Sequence, residues 1–283
     1  VFGANNKWGY FPAVSAGWNI YQEEFMADIS AISNLKLRAS YGSVGNEAIG
    51  PYQSQSLAQQ RDYLLNGRKL TGYVPGNRLP NPDLRWETST TFNAAIDFGL
   101  WRNRLSGTIE FYNTRTKDLL VDRAINAATG YSAMKSNIGE VENRGVELSL
   151  NSVMVDKKDL TINAGLSFSS NKNKILHLYG EADEDGNEVD DVGNLWFIGK
   201  PIDVYYQYKA IGIFQADDDI ANSHQPDAEP GDLKLFDRYP DDGELNADDR
   251  IITKQDPDWY GSFNFEIKYK NFDMSADILT VRG

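Results

Sequence analysis

The residues best equipped for chemistry are carboxylates gathered in one loop. The stretch Asp237-Arg238-Tyr239-Pro240-Asp241-Asp242-Gly243-Glu244-Leu245-Asn246-Ala247-Asp248-Asp249 resembles a calcium loop. Hard Ca2+ takes several carboxylate and carbonyl oxygens around a sharp glycine turn. With Gly243 at the sixth loop position, Asp242 is fifth and Asp249 twelfth. Arg238 and Pro240 then hold the first and third positions, where neither side chain can ligate, and Asp237 is displaced by one residue. The expected metal ligands are therefore Asp237, Asp241, Asp242 and Asp249, with Ca2+ as the one cofactor the residues suggest. The competing reading is an acidic surface hairpin. A second acidic stretch, Glu181 to Glu188 with Asp190 and Asp191, contains Asp185-Gly186-Asn187 and reads as a solvated turn.

Other chemistry is poorly supported. Cysteine is absent, which excludes disulfides, cysteine-ligated zinc and thiol nucleophiles. The only histidines, His177 and His224, lie in no nucleophile motif. Carboxylate pairs for glycosidase chemistry can be picked at will from 41 acidic residues, but no spacing marks one pair. Tyr52, Tyr63, Tyr73, Trp196, Phe197 and Tyr239 fall in loops, where they could stack on sugar rings or pack loop against loop. No catalytic residue is expected, and the chain does not read as an enzyme.

Charge narrows the partners. The 283 residues carry 28 Lys+Arg against 41 Asp+Glu, a net charge of −13. A nucleic-acid partner would call for a basic stripe that displaces phosphate counterions, and none is present. No apolar run is long enough for a transmembrane helix. Aromatics are nevertheless 12% and hydrophobics 41%, too rich for a disordered acidic tail.

The elements that must position these loops are strands. Thr88, Thr90, Phe92, Ala94, Ile96, Phe98 and Leu100 alternate with Ser89, Thr91, Asn93, Ala95, Asp97 and Gly99. The same period of two recurs over Leu105 to Tyr112, Leu160 to Phe168, Phe263 to Lys270 and Phe272 to Ile278, and more weakly over Leu35 to Tyr41 and Tyr10 to Ile20. The apolar faces oppose small or uncharged polar residues. Ser54 to Leu65 is the one stretch that reads as a short loop helix. Short polar links (Trp101 to Arg104, Asp156 to Asp159, Lys270-Asn271) alternate with long Gly/Pro/Asn/Asp-rich ones: Gly42 to Asp83, 119–137, 177–199 and 216–258.

That alternation, and strands near the length a bilayer needs, predict an all-β chain forming an antiparallel transmembrane β-barrel segment of roughly ten strands, with short periplasmic turns and long extracellular loops. Trp8, Tyr10, Trp18, Trp86, Trp101, Trp259, Tyr260 and Tyr205 to Tyr208 cluster near strand ends, as an interfacial girdle would. The alternative is a soluble carbohydrate-binding β-sandwich, with a barrel enzyme third. One test separates them. In a barrel Phe92, Ile96, Ile109, Phe111, Ile162, Leu166, Phe265 and Ile267 share one exposed face; in a sandwich they form a core. Val1 is not Met and the last residues read as mid-strand, so the chain is expected to be a piece of a longer protein.

Specific residues carry a resemblance. Asn81-Pro82-Asp83-Leu84-Arg85-Trp86-Glu87 opens a strand, followed by Phe98-Gly99-Leu100-Trp101, Glu110-Phe111-Tyr112-Asn113 and Thr116-Lys117-Asp118-Leu119-Leu120. Phe11 to Trp18, Leu35 to Gly42, Asn137 to Glu147, Gly199 to Ile202, Gly212 to Gln215 and Pro230 to Lys234 fit in the same order. Together they resemble the SusC/RagA family of TonB-dependent outer-membrane transporters. The resemblance implies that residues 1–283 are part of a 22-stranded barrel. The plug domain and the remaining strands would lie outside this chain. It also implies import of oligosaccharides or peptides across the outer membrane of a Gram-negative bacterium. The implied partners are a SusD-like surface lipoprotein, the TonB complex through parts outside the chain, and outer-membrane lipid.

Overall fold

The computed structural model describes residues 2–283 apart from Ala4, Asn5, Ala48, Glu181, Asp241 and Asp242. In chain order the strands are β1 Ala13–Asn19, β2 Ile32–Asn46, β3 Ala58–Leu65, β4 Arg68–Pro75, β5 Arg78–Leu79, β6 Glu87–Leu100, β7 Leu105–Ala124 and β8 Ala133–Lys157. Then follow β9 Leu160–His177, β10 Val204–Gln207, β11 Ala210–Ile213, β12 Leu233–Leu235, β13 Ile251–Lys254, β14 Trp259–Tyr269 and β15 Phe272–Arg282. The only helical pieces among the described residues are short 3-10 turns, and no helix is long or apolar enough to cross a membrane.

Eight long strands form one antiparallel wall in the order β1-β2-β6-β7-β8-β9-β14-β15, each paired with its neighbour in the chain of wall strands. With β5, which pairs in parallel with the start of β8, the sheet has nine strands, in line with the expected ten or so. The segments 58–75 and 204–254 form local ribbons instead of wall strands. In the first, β3 pairs with β4 around Asn66-Gly67, whose φ values of 51° and 75° are those of a tight hairpin turn. This corrects the expected helix over Ser54 to Leu65, because the Asn-Gly pair turns the chain back on itself. In the second, β11–β12 nests inside β10–β13, so Tyr205 and Tyr206 lie in a loop ribbon and not in a girdle. The stretch 119–137 is also mostly strand: β7 and β8 run on past the point where a long loop was expected, leaving a tip at 125–132.

Register aligns the faces. Trp18, Leu37, Ile96, Ile109, Leu148 and Phe168 pair in one cross-strand row, and Leu35, Phe98, Gly107, Leu150, Leu166, Phe263 and Ile278 in the next. None of the eight test residues named above is buried, and Ile109 is 44% and Phe111 42% exposed. No second sheet packs on this face among the described residues, so the sandwich is set aside. On the other face, Ser149 pairs with Thr108 and Ser167, and Asn163 with Glu266. The links β6–β7, β8–β9 and β14–β15 are short and lie at one edge, together with the longer β1–β2 link, which holds two 3-10 turns. Those between β2 and β6 and between β9 and β14 are long and lie at the opposite edge, together with the β7–β8 tip.

Aromatics mark both edges of the apolar face. Trp259 opens β14, and Tyr269 and Phe272 pair across the turn at its other end. The 11 residues of β14 span those levels, ~34 Å along the strand or ~26 Å in height at a tilt of ~40°. That matches the height of a lipid-facing band.

Candidate functional site

The polar face carries a bonded network at its centre. Arg38 on β2 makes two hydrogen bonds to Asp97 on β6, from Nε at 2.7 Å and Nη2 at 3.0 Å. Asp97 Oδ1 also accepts from the Thr108 hydroxyl at 2.9 Å. Asn93 Nδ2 donates to Glu110 at 2.6 Å, and Arg38 lies 3.6 Å from the same carboxylate. Further along, Tyr112 lies over its cross-strand partner Gly145, where an added Cβ would meet the ring at 2.5 Å, and its hydroxyl donates to Asn171 at 3.2 Å. The face therefore offers donors and acceptors held in place by neighbours, suited to a polar cargo or a polar filling. Sequence reasoning placed Asn93, Asp97, Glu110 and Tyr112 in strands and motifs but gave none of them a part in a site. The signal was the strand register itself, which the short turn at Trp101 to Arg104 sets.

Three of the recurring motifs converge where β6, β7 and β8 leave the apolar band. Asn81 Nδ2 donates to the Lys135 carbonyl at 2.8 Å. Arg85 pairs with Asp118 at 2.6 Å. The Asn137 amide accepts from the Arg85 N–H at 2.8 Å and donates to the carbonyls of Arg85 (2.7 Å) and Asp118 (3.0 Å). Glu87 accepts from the Leu120 N–H at 3.1 Å. Leu84 is fully buried, and Trp86 packs on Phe2 and Phe11 with centroids 4.7 and 5.5 Å away. The signature thus spells a clasp that joins three strands, and its residues bind one another.

Above the wall on the long-loop side, 178–202 folds onto the strand ends. Val141, Ile175 and Leu178 form a small core joined by Leu119, Tyr179, Trp196, Ile198 and Ile202. Carboxylates lock the surrounding backbone. Glu188 accepts from the N–H groups of Leu178 (2.7 Å) and Gly180 (2.8 Å) and faces His177 at 3.1 Å. Against the upward push of burial, the Gly180 and Leu178 amides and then His177 hold its carboxyl below the ordinary range. Asp191 accepts from Tyr179 Oη at 2.6 Å and Asn194 N at 3.0 Å. Burial, then the bond to Asp191, pushes the Tyr179 hydroxyl up to about 12.

The proposed ligands divide. Asp249 is fully buried and accepts from the N–H groups of Arg238 and Asn246, both at 2.8 Å. The Asn246 amide, then those of Arg238 and Tyr239, holds its carboxyl below the usual range. Asp237 accepts from the Tyr239 N–H at 2.8 Å and lies 3.8 Å from His224. Asp237 and Asp249 thus come together around one turn, with oxygens turned to backbone amides. Asp241 and Asp242 lie outside the described residues. Among the described residues no cluster of three or more His, Cys, Asp or Glu side chains is placed to hold a metal. Calorimetric titration of the parent protein with Ca2+ decides the calcium expectation: heat at millimolar Ca2+ supports it, and none ends it.

The loop aromatics also divide. Phe197 is buried against Tyr206, with centroids 5.0 Å apart, and Trp196 packs near Tyr179 at 6.4 Å. Tyr52, Tyr63, Tyr73 and Tyr239 are exposed. Neither histidine faces a nucleophile: His177 sits on Glu188, and His224 on the Leu235 carbonyl at 2.9 Å.

Comparison with known proteins agrees with this architecture. Residues 1–281 match the family described as "TonB dependent receptor-like, beta-barrel". TonB-dependent receptor P26 of Formosa agariphila is 35% identical over 97% of this chain and 28% of its own length. TonB-dependent receptor SusC of Bacteroides thetaiotaomicron is 30% identical over 98% of this chain and 28% of its own. A solved RagAB peptide transporter superposes with a TM-score of 0.75 at 27% identity, over 98% of this chain and 30% of that one. The chain therefore spans under a third of the length of these relatives.

Proposed function

This chain belongs to the TonB-dependent receptor-like β-barrel family, and from that premise we propose that it forms part of the wall and the extracellular loops of an outer-membrane importer of the SusC/RagA type. One observation carries the reading. A single sheet presents a continuous exposed apolar face, edged by aromatics, opposite a face of hydroxyls, amides and paired charges. Lipid suits the first and a wet lumen the second. The parent protein sits in the outer membrane of a Gram-negative bacterium and takes up oligosaccharides or peptides, with energy delivered through TonB by segments outside residues 1–283. A SusD-like lipoprotein lids the loop side. The chain performs no catalysis.

Two measurements test this. Deleting the parent gene abolishes uptake of one labelled oligosaccharide or peptide pool, and the plasmid-borne gene restores it. Fractionation places the protein in the outer membrane and shows that it needs detergent to remain monodisperse. A parent protein that is soluble and monodisperse without detergent overturns the proposal.

A further inference from the structure

The lipid-side face does not end in neutral residues. On β7 the positions that continue Leu105, Gly107, Ile109 and Phe111 are Asn113, Arg115 and Lys117. On β8 the positions beyond Leu148 and Val146 are Arg144, Glu142 and Glu140. On β9 those beyond Phe168 and Ser170 are Lys172 and Lys174. Register places these side by side: Arg144 pairs with Asn113 and Lys172, and Glu142 with Arg115 and Lys174. Five basic residues (Arg115, Lys117, Arg144, Lys172, Lys174) thus face outward beside two acidic ones, in a chain whose net charge is −13.

The two acids act as pins. Glu140 and Glu142 are 14% and 11% exposed at their side chains, while Arg115 and Lys117 above them are 55% and 60% exposed. Arg115 Nε reaches Glu142 at 3.3 Å and Lys117 Nζ reaches Glu140 at 3.6 Å. The cations are held upright with most of their surface open. Arg144, Lys172 and Lys174 are exposed and form no ion pair within 4.0 Å among the described residues, although Lys172 lies in electrostatic reach of Asp258.

We propose that this basic patch on β7, β8 and β9 binds the phosphate groups of an outer-leaflet glycolipid. The inference rests on the membrane reading above. Two arguments select this occupant. The patch continues the apolar face without a break, so whatever covers it has acyl chains directly below. It also lies on the long-loop side, the outer leaflet of such a barrel. Surface cations attract anionic headgroups within a Debye length, and preordered ones lose less side-chain freedom on binding. A lipid of this class makes a fixed collar at the level where the loop cap begins.

The test uses the full-length parent protein in nanodiscs of phosphatidylcholine containing a minor fraction of monophosphoryl lipid A. Native mass spectrometry counts lipid A retained per barrel. The wild type retains several-fold more than the bulk lipid ratio predicts. The variant Arg144→Gln/Lys172→Gln/Lys174→Gln falls to near the bulk ratio, whereas Lys157→Gln/Lys158→Gln at the opposite edge keeps the enrichment. Equal enrichment in wild type and the triple variant overturns the inference. So does protection of Lys172 and Lys174 from acetylation by the lipoprotein and not by lipid A. A folded, inserted barrel with no lipid A preference fails this inference alone; a protein found outside the outer membrane fails the membrane reading instead.

Discussion

The wall and the loop cap of this molecule keep their backbone amides satisfied in opposite ways. In the wall, from β6 to β9 and on to β14, strands answer their neighbours' N–H and C=O in long antiparallel ladders, interrupted on β8 only near Gly139 to Val141 and at Val153 to Val155, and the apolar side chains are left exposed. In the cap, regular pairing is scarce and acidic side chains take its place. Asp183 accepts from Asp185 and Asn187, Glu188 from Leu178 and Gly180, Asp218 from Gln215, Asp232 from Glu229, and Asp249 from Arg238 and Asn246. An irregular backbone must bond its amides somewhere, and a carboxylate that accepts two of them is a strong local solution. Much of the −13 charge is thus structural, a consequence of holding long loops without a ladder.

The largest expected effect comes from a charge on the wall's apolar face. Ile109→Arg puts a guanidinium among lipid tails near the middle of the band and should cost about 2–4 kcal/mol of barrel stability. Ser149→Arg, one residue over in register but on the polar face, should cost less than about 1 kcal/mol. Urea unfolding of the parent protein in vesicles reads both. Equal losses would break the comparison, since the faces would then meet the same solvent.

The wall was legible in the sequence because a period of two is a property of every strand residue at once. Phe92, Ile96, Ile109 and Leu166 each repeat the same instruction, and short turns such as Lys270-Asn271 fix the register between strands. The cap rests on single pairings with no period: nothing in the spacing of Glu188 announces the amides of Leu178 and Gly180. Tyr205 and Tyr206 sat beside apparent turns and so resembled a girdle, yet pair in the β10–β13 ribbon. The clasp was half legible. Its motifs stood out in order, but their convergence through Asn137 is a tertiary fact. In the acidic loop the sequence marked Asp249 as special, while its partnership with Arg238 and Asn246 emerged only from the fold.

A smaller effect sharpens the boundary between the regions. Ile175 lies at the end of β9, only 1% exposed, in the core shared by wall and cap. Ile175→Val removes one methylene there and should cost about 1 kcal/mol. The loss should fall on the cap: protease cleavage within 178–202 accelerates several-fold, while the wall's unfolding midpoint in vesicles stays within error. A matching drop in the wall's midpoint would mean that cap and wall unfold as one unit.

The smallest effect tests the carboxylate lock itself. The folded Asp249 carboxyl titrates below its ordinary range because the Asn246 amide, then those of Arg238 and Tyr239, favour the charged form. Its unfolded value is about 3.9. A group depressed on folding contributes stability that is fully present above the unfolded value and is lost as pH falls through the folded one. The turn over 237–249 should therefore hold unchanged from neutral pH to about pH 5 and loosen only below about pH 4. Asp249→Asn removes the charge and places an amide donor against backbone donors, so the same turn should open already at neutral pH. Faster exchange of the Arg238 and Asn246 amide protons, with the β7–β8 ladder still protected, is the expected result. Unchanged exchange in the variant would show that Asp249 is a passenger in its turn, and that the cap holds its amides by other means than the carboxylates that surround them.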